Sequence, residues 1–336
     1  MIRALVCGCA GASLSADDRA FLREAAPWGL ILFKRNVVDR AQLRALTDDF
    51  RATVGRGDAP VLIDQEGGRV QRLAPPHWPA YPAAARFAAT RAPERAAWLA
   101  ARLIAGDLAE VGINVDCAPV LDVAGEGMSA AIGARAFSAF ADEVAALGRA
   151  YAEGLIAGGV APVVKHMPGH GRAQVDSHLE LPVVTANREA LAARDFVPFK
   201  ALADLPMAMT AHVVFSAIDD KAPATTSPRV VREIMRGTIG FDGLIFSDDT
   251  SMKALSGTFT EKTRAIFAAG LDIVLHCNGD LTEAREVAAE TPPLDGDRLR
   301  RAEAALRCVG GGPQPFDAAA GRAELEALLA TAATPA

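Results

Sequence analysis

Eight short apolar runs, separated by stretches with helical periodicity, constrain this chain more than any other feature. The runs occupy residues 2–9, 29–33, 60–64, 113–118, 161–166, 207–212, 243–248 and 272–276. All are of strand length. Between them Leu43, Leu46, Phe50 and Val54 recur at helical spacing, and Val144, Leu147, Tyr151 and Leu155 do so again. Ser227 followed by Pro228 reads as an N-cap with proline in the first turn, and Gly237 as the residue closing that helix. Strands that alternate with helices are parallel and joined by crossovers. Eight such units predict an α/β fold closed into a (β/α)8 TIM-type barrel. An open doubly wound sheet is the alternative, but no Gly-x-Gly-x-x-Gly follows the first run to support a dinucleotide site.

A chain of 336 residues fits one barrel domain, since such barrels run from about 200 to more than 400 residues. No domain boundary shows itself, so residues 1–336 are expected to form a single catalytic domain. The proline-rich stretch 73–82 reads as a long barrel loop. Residues from about 313 to 336, rich in alanine and carrying Leu325, Leu328 and Leu329, are expected to form a C-terminal helical extension packed outside the barrel.

Hydrophobic residues at 51% allow a large core, and a net charge of −6 provides no basic footprint for nucleic acid. A small or uncharged ligand is expected instead. The odd cysteine count, Cys7, Cys9, Cys117, Cys277 and Cys308, predicts reduced thiols and a cytoplasmic setting. No run reaches the roughly 18 apolar residues of a membrane helix. The N-terminus superficially resembles an export signal, yet it has one basic residue and an apolar core broken by Gly8, and it reads as the first strand.

In barrels of this kind the active site forms at the carboxyl ends of the strands. Ionisable residues collect there: Asp64 after the third run, Lys165 and His166 at the end of the fifth, His212 at the sixth and Asp248 at the seventh. Each has a structural reading, as a turn cap, an ion-pair partner or a core histidine. Asp248 and Asp249 point to opposite faces of a strand, so one of them at most looks into the barrel mouth. Glu66 reads as a structural partner, and His212 and His276 as core histidines.

The stretch K-H-M-P-G-H-G-R-A-Q-V-D-S-H-L-E-L-P, residues 165–182, is a polar loop leaving a strand end and holds three of the six histidines. Within it Asp176 lies two residues before His178, close enough to fix the imidazole's orientation. Two chemistries compete for this set. One is a zinc hydrolase using His166, His170, His178 and an aspartate from another strand. Pro168 and Gly169 between His166 and His170 count against it, because the two are not on one helical face. The other is glycosyl transfer, with a carboxylate attacking the anomeric carbon and an acid protonating the leaving oxygen.

Six segments decide in favour of the second. They are I-D-Q-E-G-G-R-V-Q-R (63–72), A-P-V-L-D-V (118–123), A-A-I-G-A-R-A-F (130–137), K-H-M-P-G-H-G (165–171), D-S-H (176–178) and F-D-G-L-I-F-S-D-D-T-S-M (241–252). Together they resemble glycoside hydrolase family 3, and within it the single-domain, cytoplasmic β-N-acetylglucosaminidases of the NagZ type. The similarity runs from about Gly29 to Asn278. Met167 stands where the family usually has Phe, Thr250 where Leu is common and Ala136 where Ser is common.

The resemblance implies Asp248 as nucleophile and His178, oriented by Asp176, as general acid/base. It also implies that Asp64, Arg72, Arg135, Lys165 and His166 hold a non-reducing N-acetylglucosamine. The implied substrate is N-acetylglucosamine β-linked to 1,6-anhydro-N-acetylmuramic acid, with or without peptide, from cell-wall recycling. No cofactor, metal, nucleic-acid or membrane partner is implied, and the chain is expected to act as a monomer. Within this class, attack by the substrate's own acetamido group, or phosphate as acceptor, stays open. Outside it stands a non-catalytic muropeptide binder. Gly169 and Gly171 predict that loop 170–177 is mobile and closes over bound sugar.

Overall fold

The computed structural model describes residues 1–330 and Ala332. Eight parallel strands close into a barrel in the order β1-β8-β7-β6-β5-β4-β3-β2. They are β1 (Arg3–Gly8), β2 (Pro27–Leu32), β3 (Val61–Ile63), β4 (Val115–Asp116), β5 (Ala161–Met167), β6 (Met207–Thr210), β7 (Leu244–Asp249) and β8 (Ile273–His276). Every apolar run read from the sequence therefore overlaps a barrel strand, although the strands at Pro27–Leu32, Ala161–Met167 and Leu244–Asp249 begin or end outside their runs. Closure is direct: Leu5 of β1 lies in register with Val274 of β8, and Val6 with Gly29 of β2.

The runs are continuously apolar because both faces of each strand are buried. Ala4, Val6, Ile31, Leu62, Val115, Val163, Met209, Phe246 and Leu275 fill the barrel interior. Their neighbours Leu5, Cys7, Leu30, Leu32, Val61, Val164 and Ile245 belong to the core between strands and helices. This two-residue alternation sets what reaches the mouth. Asp64 is in phase with Leu62, Lys165 with Val163 and Asp248 with Phe246, so the interior face of these strands ends in charge.

Helices Arg40–Val54, Pro93–Glu110 and Ala141–Ala157 cover the barrel, burying Leu43, Leu46 and Phe50 from the first and Val144, Leu147, Tyr151 and Leu155 from the last. The expected N-cap at Ser227 is present, its Oγ accepting the Val230 N–H at 3.1 Å. The helix does not close at Gly237. It continues through Thr238 with wide-turn bonds such as Ile239 N–H to Ile234 carbonyl, and the left-handed residue that follows is Gly240, φ 78°. Thr238 Oγ1 satisfies the Glu233 carbonyl at 2.9 Å, which lets the last turn form past the glycine.

The final helix is Ala318–Ala330, packed on Pro93–Glu110 outside the barrel, with Leu325 and Leu328 buried. Residues 331 and 333–336 of the expected extension lie outside the described residues. The five cysteines are free, four of them buried. No helix among the described residues is long and apolar enough to cross a membrane.

Candidate active site

A cavity of about 280 Å³ opens at the carboxyl ends of the strands, just below the roughly 300 Å³ at which drug-sized ligand clefts begin. Asp64, Arg72, Arg135, Lys165, His166, Asp176, His178 and Asp248 all line it. Residues more than 180 positions apart in the chain are thus brought together by strand ends.

One wall is a chain of alternating charge. Lys165 Nζ lies 2.8 Å from Asp64 Oδ1 and 2.7 Å from Glu66 Oε1. Arg72 donates to the other Asp64 oxygen at 3.1 Å. Arg135 grips Glu66 with two parallel bonds, 2.7 and 2.8 Å. The order is therefore Arg72, Asp64, Lys165, Glu66, Arg135, with Lys165 only 2% exposed. Burial alone would push both carboxyls up. Lys165, with Arg72 beside Asp64 and Arg135 beside Glu66, outweighs it and holds Asp64 far below the usual range and Glu66 down at about 2. Lys165 is correspondingly held above its ordinary value by the same two carboxylates against desolvation. Such a wall offers fixed donors and acceptors to the hydroxyls of a polar, uncharged ligand.

The hairpin made by Gln65–Gly67 and Val70–Gln71 carries Glu66 and leads to Arg72. Gly67, at φ 94°, permits it: a Cβ there would sit 2.3 Å from the Pro82 carbonyl oxygen.

His166 is buried with Nδ1 2.7 Å from Asp122 Oδ2. The imidazole therefore donates to Asp122 and presents Nε2 to the pocket. Asp122 also accepts the His170 N–H at 2.6 Å. Burial would raise its carboxyl, but His166 and His170 hold it below the ordinary range. Asp122 is a site residue that the sequence reading gives no role. The available signal was an aspartate inside the run A-P-V-L-D-V, where an acid needs a partner.

Asp248 lies at the inner end of β7 and accepts the Asp249 N–H at 2.8 Å. Burial pushes its carboxyl up, and His212, His166, the Asp249 N–H and His178 together bring it below the usual value. It is an ionised carboxylate near neutral pH. Asp249 lines the same cavity, because an irregularity in β7 sets it beside Leu275 and breaks the strict alternation, but its carboxylate is occupied, accepting from Ser251 and from the Cys277 N–H. His212 is a core histidine, with Nδ1 at Thr225 Oγ1 (2.7 Å) and Nε2 at the Asp249 carbonyl (3.0 Å).

His178 and Asp176, which line the same pocket, form a dyad. His178 Nδ1 and its backbone N–H both lie 2.9 Å from Asp176 Oδ1. Burial opposes ionisation of Asp176, but these two bonds keep it below the ordinary carboxylate range. With Nδ1–H committed to Asp176, Nε2 is the nitrogen left to exchange a proton.

His170, a candidate zinc ligand by sequence, instead lies with Nε2 3.3 Å from Ser177 Oγ. Among the described residues no group of three or more His, Cys, Asp or Glu side chains is arranged to hold a metal ion.

Sequence reasoning also passed over Asp116 of β4. It is fully buried, Oδ1 accepts the Gln65 N–H at 2.9 Å, and Oδ2 has no partner. Burial, only partly offset by that N–H and by Lys165, pushes its carboxyl up to about 8. The folded chain thus keeps a proton that the unfolded chain, titrating near about 4, has lost. This contribution to stability is full below about pH 4 and disappears as pH rises to about 8. Asp116→Asn, which keeps the acceptor, is expected to melt like wild type at pH 4. At pH 8 it should be more stable by upward of about 1 kcal/mol, the worth of one pKa unit. Thermal melts at the two pH values check this, and coincident midpoints at pH 8 would exclude a buried neutral acid.

Residues 8–296 match the family described as "Glycosyl hydrolase family 3 N terminal domain". The chain belongs to glycosyl hydrolase family 3. A β-hexosaminidase of Methylococcus capsulatus is 43% identical over 277 residues, covering 80% of each chain. The structure of NagZ from Neisseria gonorrhoeae in complex with N-trifluoroacetyl-D-glucosamine superposes with a TM-score of 0.84 at 32% identity, over 97% of this chain and 98% of that one. The same protein in complex with a zinc ion gives 0.83 at 31% identity, over 98% of each. The family 3 chain described here is a glycoside hydrolase of the NagZ-type β-hexosaminidases.

Proposed function

We propose that the chain is a retaining exo-β-N-acetylglucosaminidase in which Asp248 is the nucleophile and His178 the general acid/base. The observation that carries this reading is a single pocket lined by an ionised, inward-facing carboxylate and by a carboxylate-oriented imidazole.

In the first step an Asp248 oxygen attacks the anomeric carbon while the bond to the leaving oxygen breaks, and His178 gives that oxygen its proton. Charge develops on the ring oxygen and anomeric carbon in between. In the second step a water attacks the same carbon from the face the leaving group vacated. His178 takes the water's proton and Asp248 departs as carboxylate, so the configuration is retained. Asp176 keeps the imidazole turned to present Nε2 in both steps.

Asp64, Arg72, Arg135, Lys165 and His166 hold the non-reducing N-acetylglucosamine in this reading. The N-acylated glucosamine on the Neisseria gonorrhoeae protein supports a ligand of that class. The leaving group is 1,6-anhydro-N-acetylmuramic acid, with or without peptide, which places the enzyme in cytoplasmic peptidoglycan recycling as a single catalytic domain and a monomer.

Release of aryl alcohol from an aryl N-acetyl-β-glucosaminide in excess chelator tests the chemistry. Undiminished turnover is expected, and turnover lost to chelator would restore the zinc reading. Mass spectrometry after a slow 5-fluoro glycosyl donor is expected to show one sugar on the peptide containing Asp248. Its persistent absence would favour attack by the acetamido group, and a sugar 1-phosphate formed in phosphate buffer would identify a different acceptor.

A further inference from the structure

The acid/base dyad stands on a loop that cannot hold it through the dyad alone. The His178 side chain is 66% exposed and that of Asp176 33%. Ser177 between them is buried, at 4%. Its Oγ lies 3.3 Å from His170 Nε2, and its carbonyl accepts the Ala254 N–H at 3.2 Å, from the loop that follows the Asp248 strand.

His170 is itself anchored. Its N–H donates to Asp122 Oδ1 at 2.6 Å, and its ring packs edge-on against His166 with centroids 5.8 Å apart. Gly171 follows so closely on the Val123 carbonyl that a Cβ would lie 1.9 Å from its oxygen, which fixes the start of the loop. Burial lowers the pKa of His170, so the ring is neutral at working pH. Its Nδ1 is buried without a partner. A proton there would be an orphaned donor, so the ring carries it on Nε2 and donates to Ser177 Oγ.

We propose that Ser177 and His170 form a latch that positions the acid/base dyad, tying the His178 loop to the same buried carboxylate, Asp122, that orients His166. The two ends of the reaction are thereby referenced to one group. His166 faces the sugar and His178 the leaving oxygen, and Asp122 is bonded directly to the first and through His170 and Ser177 to the second. The latch rests on the assignment of His178 as acid/base.

A group that only positions the acid matters where the acid matters. Protonation is needed to expel an alkoxide and dispensable for a dinitrophenolate. Loss of one such hydrogen bond changes a rate by roughly 3- to 10-fold. Ser177→Ala and His170→Gln are therefore each expected to lower kcat/KM roughly 3- to 10-fold on an alkyl N-acetyl-β-glucosaminide and to leave it unchanged on the 2,4-dinitrophenyl glycoside. The double variant is expected to fall no further than the worse single one, because the two side chains act through each other.

Equal losses on both substrates would mean that the contact merely supports the pocket, and no loss on the alkyl glycoside would mean that it does nothing for the acid. Losses that multiply in the double variant would break the connection between the two residues. His178→Ala, measured alongside, separates the levels. If its own loss were the same on both substrates, the acid/base assignment would fall and the latch with it.

Discussion

Asp248→Ala is expected to abolish turnover of every β-N-acetylglucosaminide, with kcat falling by at least about 10⁴-fold, as when a covalent nucleophile is removed. The side chain has no substitute nearby. Asp249 also lines the cavity, but both its oxygens are taken, Oδ1 by the Ser251 and Cys277 N–H groups and Oδ2 by the Ser251 hydroxyl. Asp64 and Glu66 are held in ion pairs by Lys165, Arg72 and Arg135. Asp248→Asn is the sharper form, since its carbonyl oxygen still accepts the Asp249 N–H that Asp248 accepts now. Unchanged melting with lost activity would separate chemistry from folding.

The alanine variant also leaves a small cavity on the nucleophile's face of the sugar. Added azide that fills it attacks from that face without a later displacement. The expected product is therefore the α-glycosyl azide, of inverted configuration. A β-glycosyl azide from Asp248→Ala would show that another group still forms the covalent intermediate, and full activity without azide would remove Asp248 from the mechanism.

How much of this was legible in the sequence depends on how local the cause was. The strand runs could be read because burial on both faces leaves little room for a polar residue until the strand ends. Asp64, Lys165 and Asp248 stood out as the first charges after such runs, and the interior alternation brings them into one mouth. Partnership was not legible, because it is set by distance in space. Nothing near Glu66 in the chain announces that Arg135, 69 residues away, holds it with two bonds. Likewise the spacing of His170 admits a metal ligand, whereas its ring faces Ser177, and nothing beside Asp116 or Asp122 in the chain names the partners that a buried acid needs. The helix after Ser227 outran Gly237 because a side chain five residues away, Thr238 to the Glu233 carbonyl, completed a turn that glycine alone would have ended. Family resemblance supplied the roles of residues, and the strand ends supplied their convergence. Neither would have brought His170 and Ser177 together.

His178→Ala is expected to divide substrates by their leaving groups. In the proposed mechanism the imidazole contributes proton transfer, typically worth about 10² to 10⁴ in rate, and only where the departing oxygen is basic. For an alkyl glycoside kcat/KM should fall by that factor. For a 2,4-dinitrophenyl glycoside, whose phenolate leaves unaided, kcat/KM should hardly change, because it reports only the step that forms the glycosyl-enzyme. Turnover of the same activated substrate should still drop, since water must then attack without a base and the intermediate accumulates. Azide needs no deprotonation and should restore turnover. It arrives after Asp248 has already inverted the centre, so the product is the β-glycosyl azide, opposite in configuration to that from Asp248→Ala. Asp176→Asn should reproduce the pattern weakly. An amide can still present its oxygen to Nδ1–H, so orientation survives, but the charge-assisted bond becomes a weaker neutral one. A His178→Ala enzyme equally impaired on both substrates, or one giving the α-azide, would show that the exposed dyad is not the proton carrier.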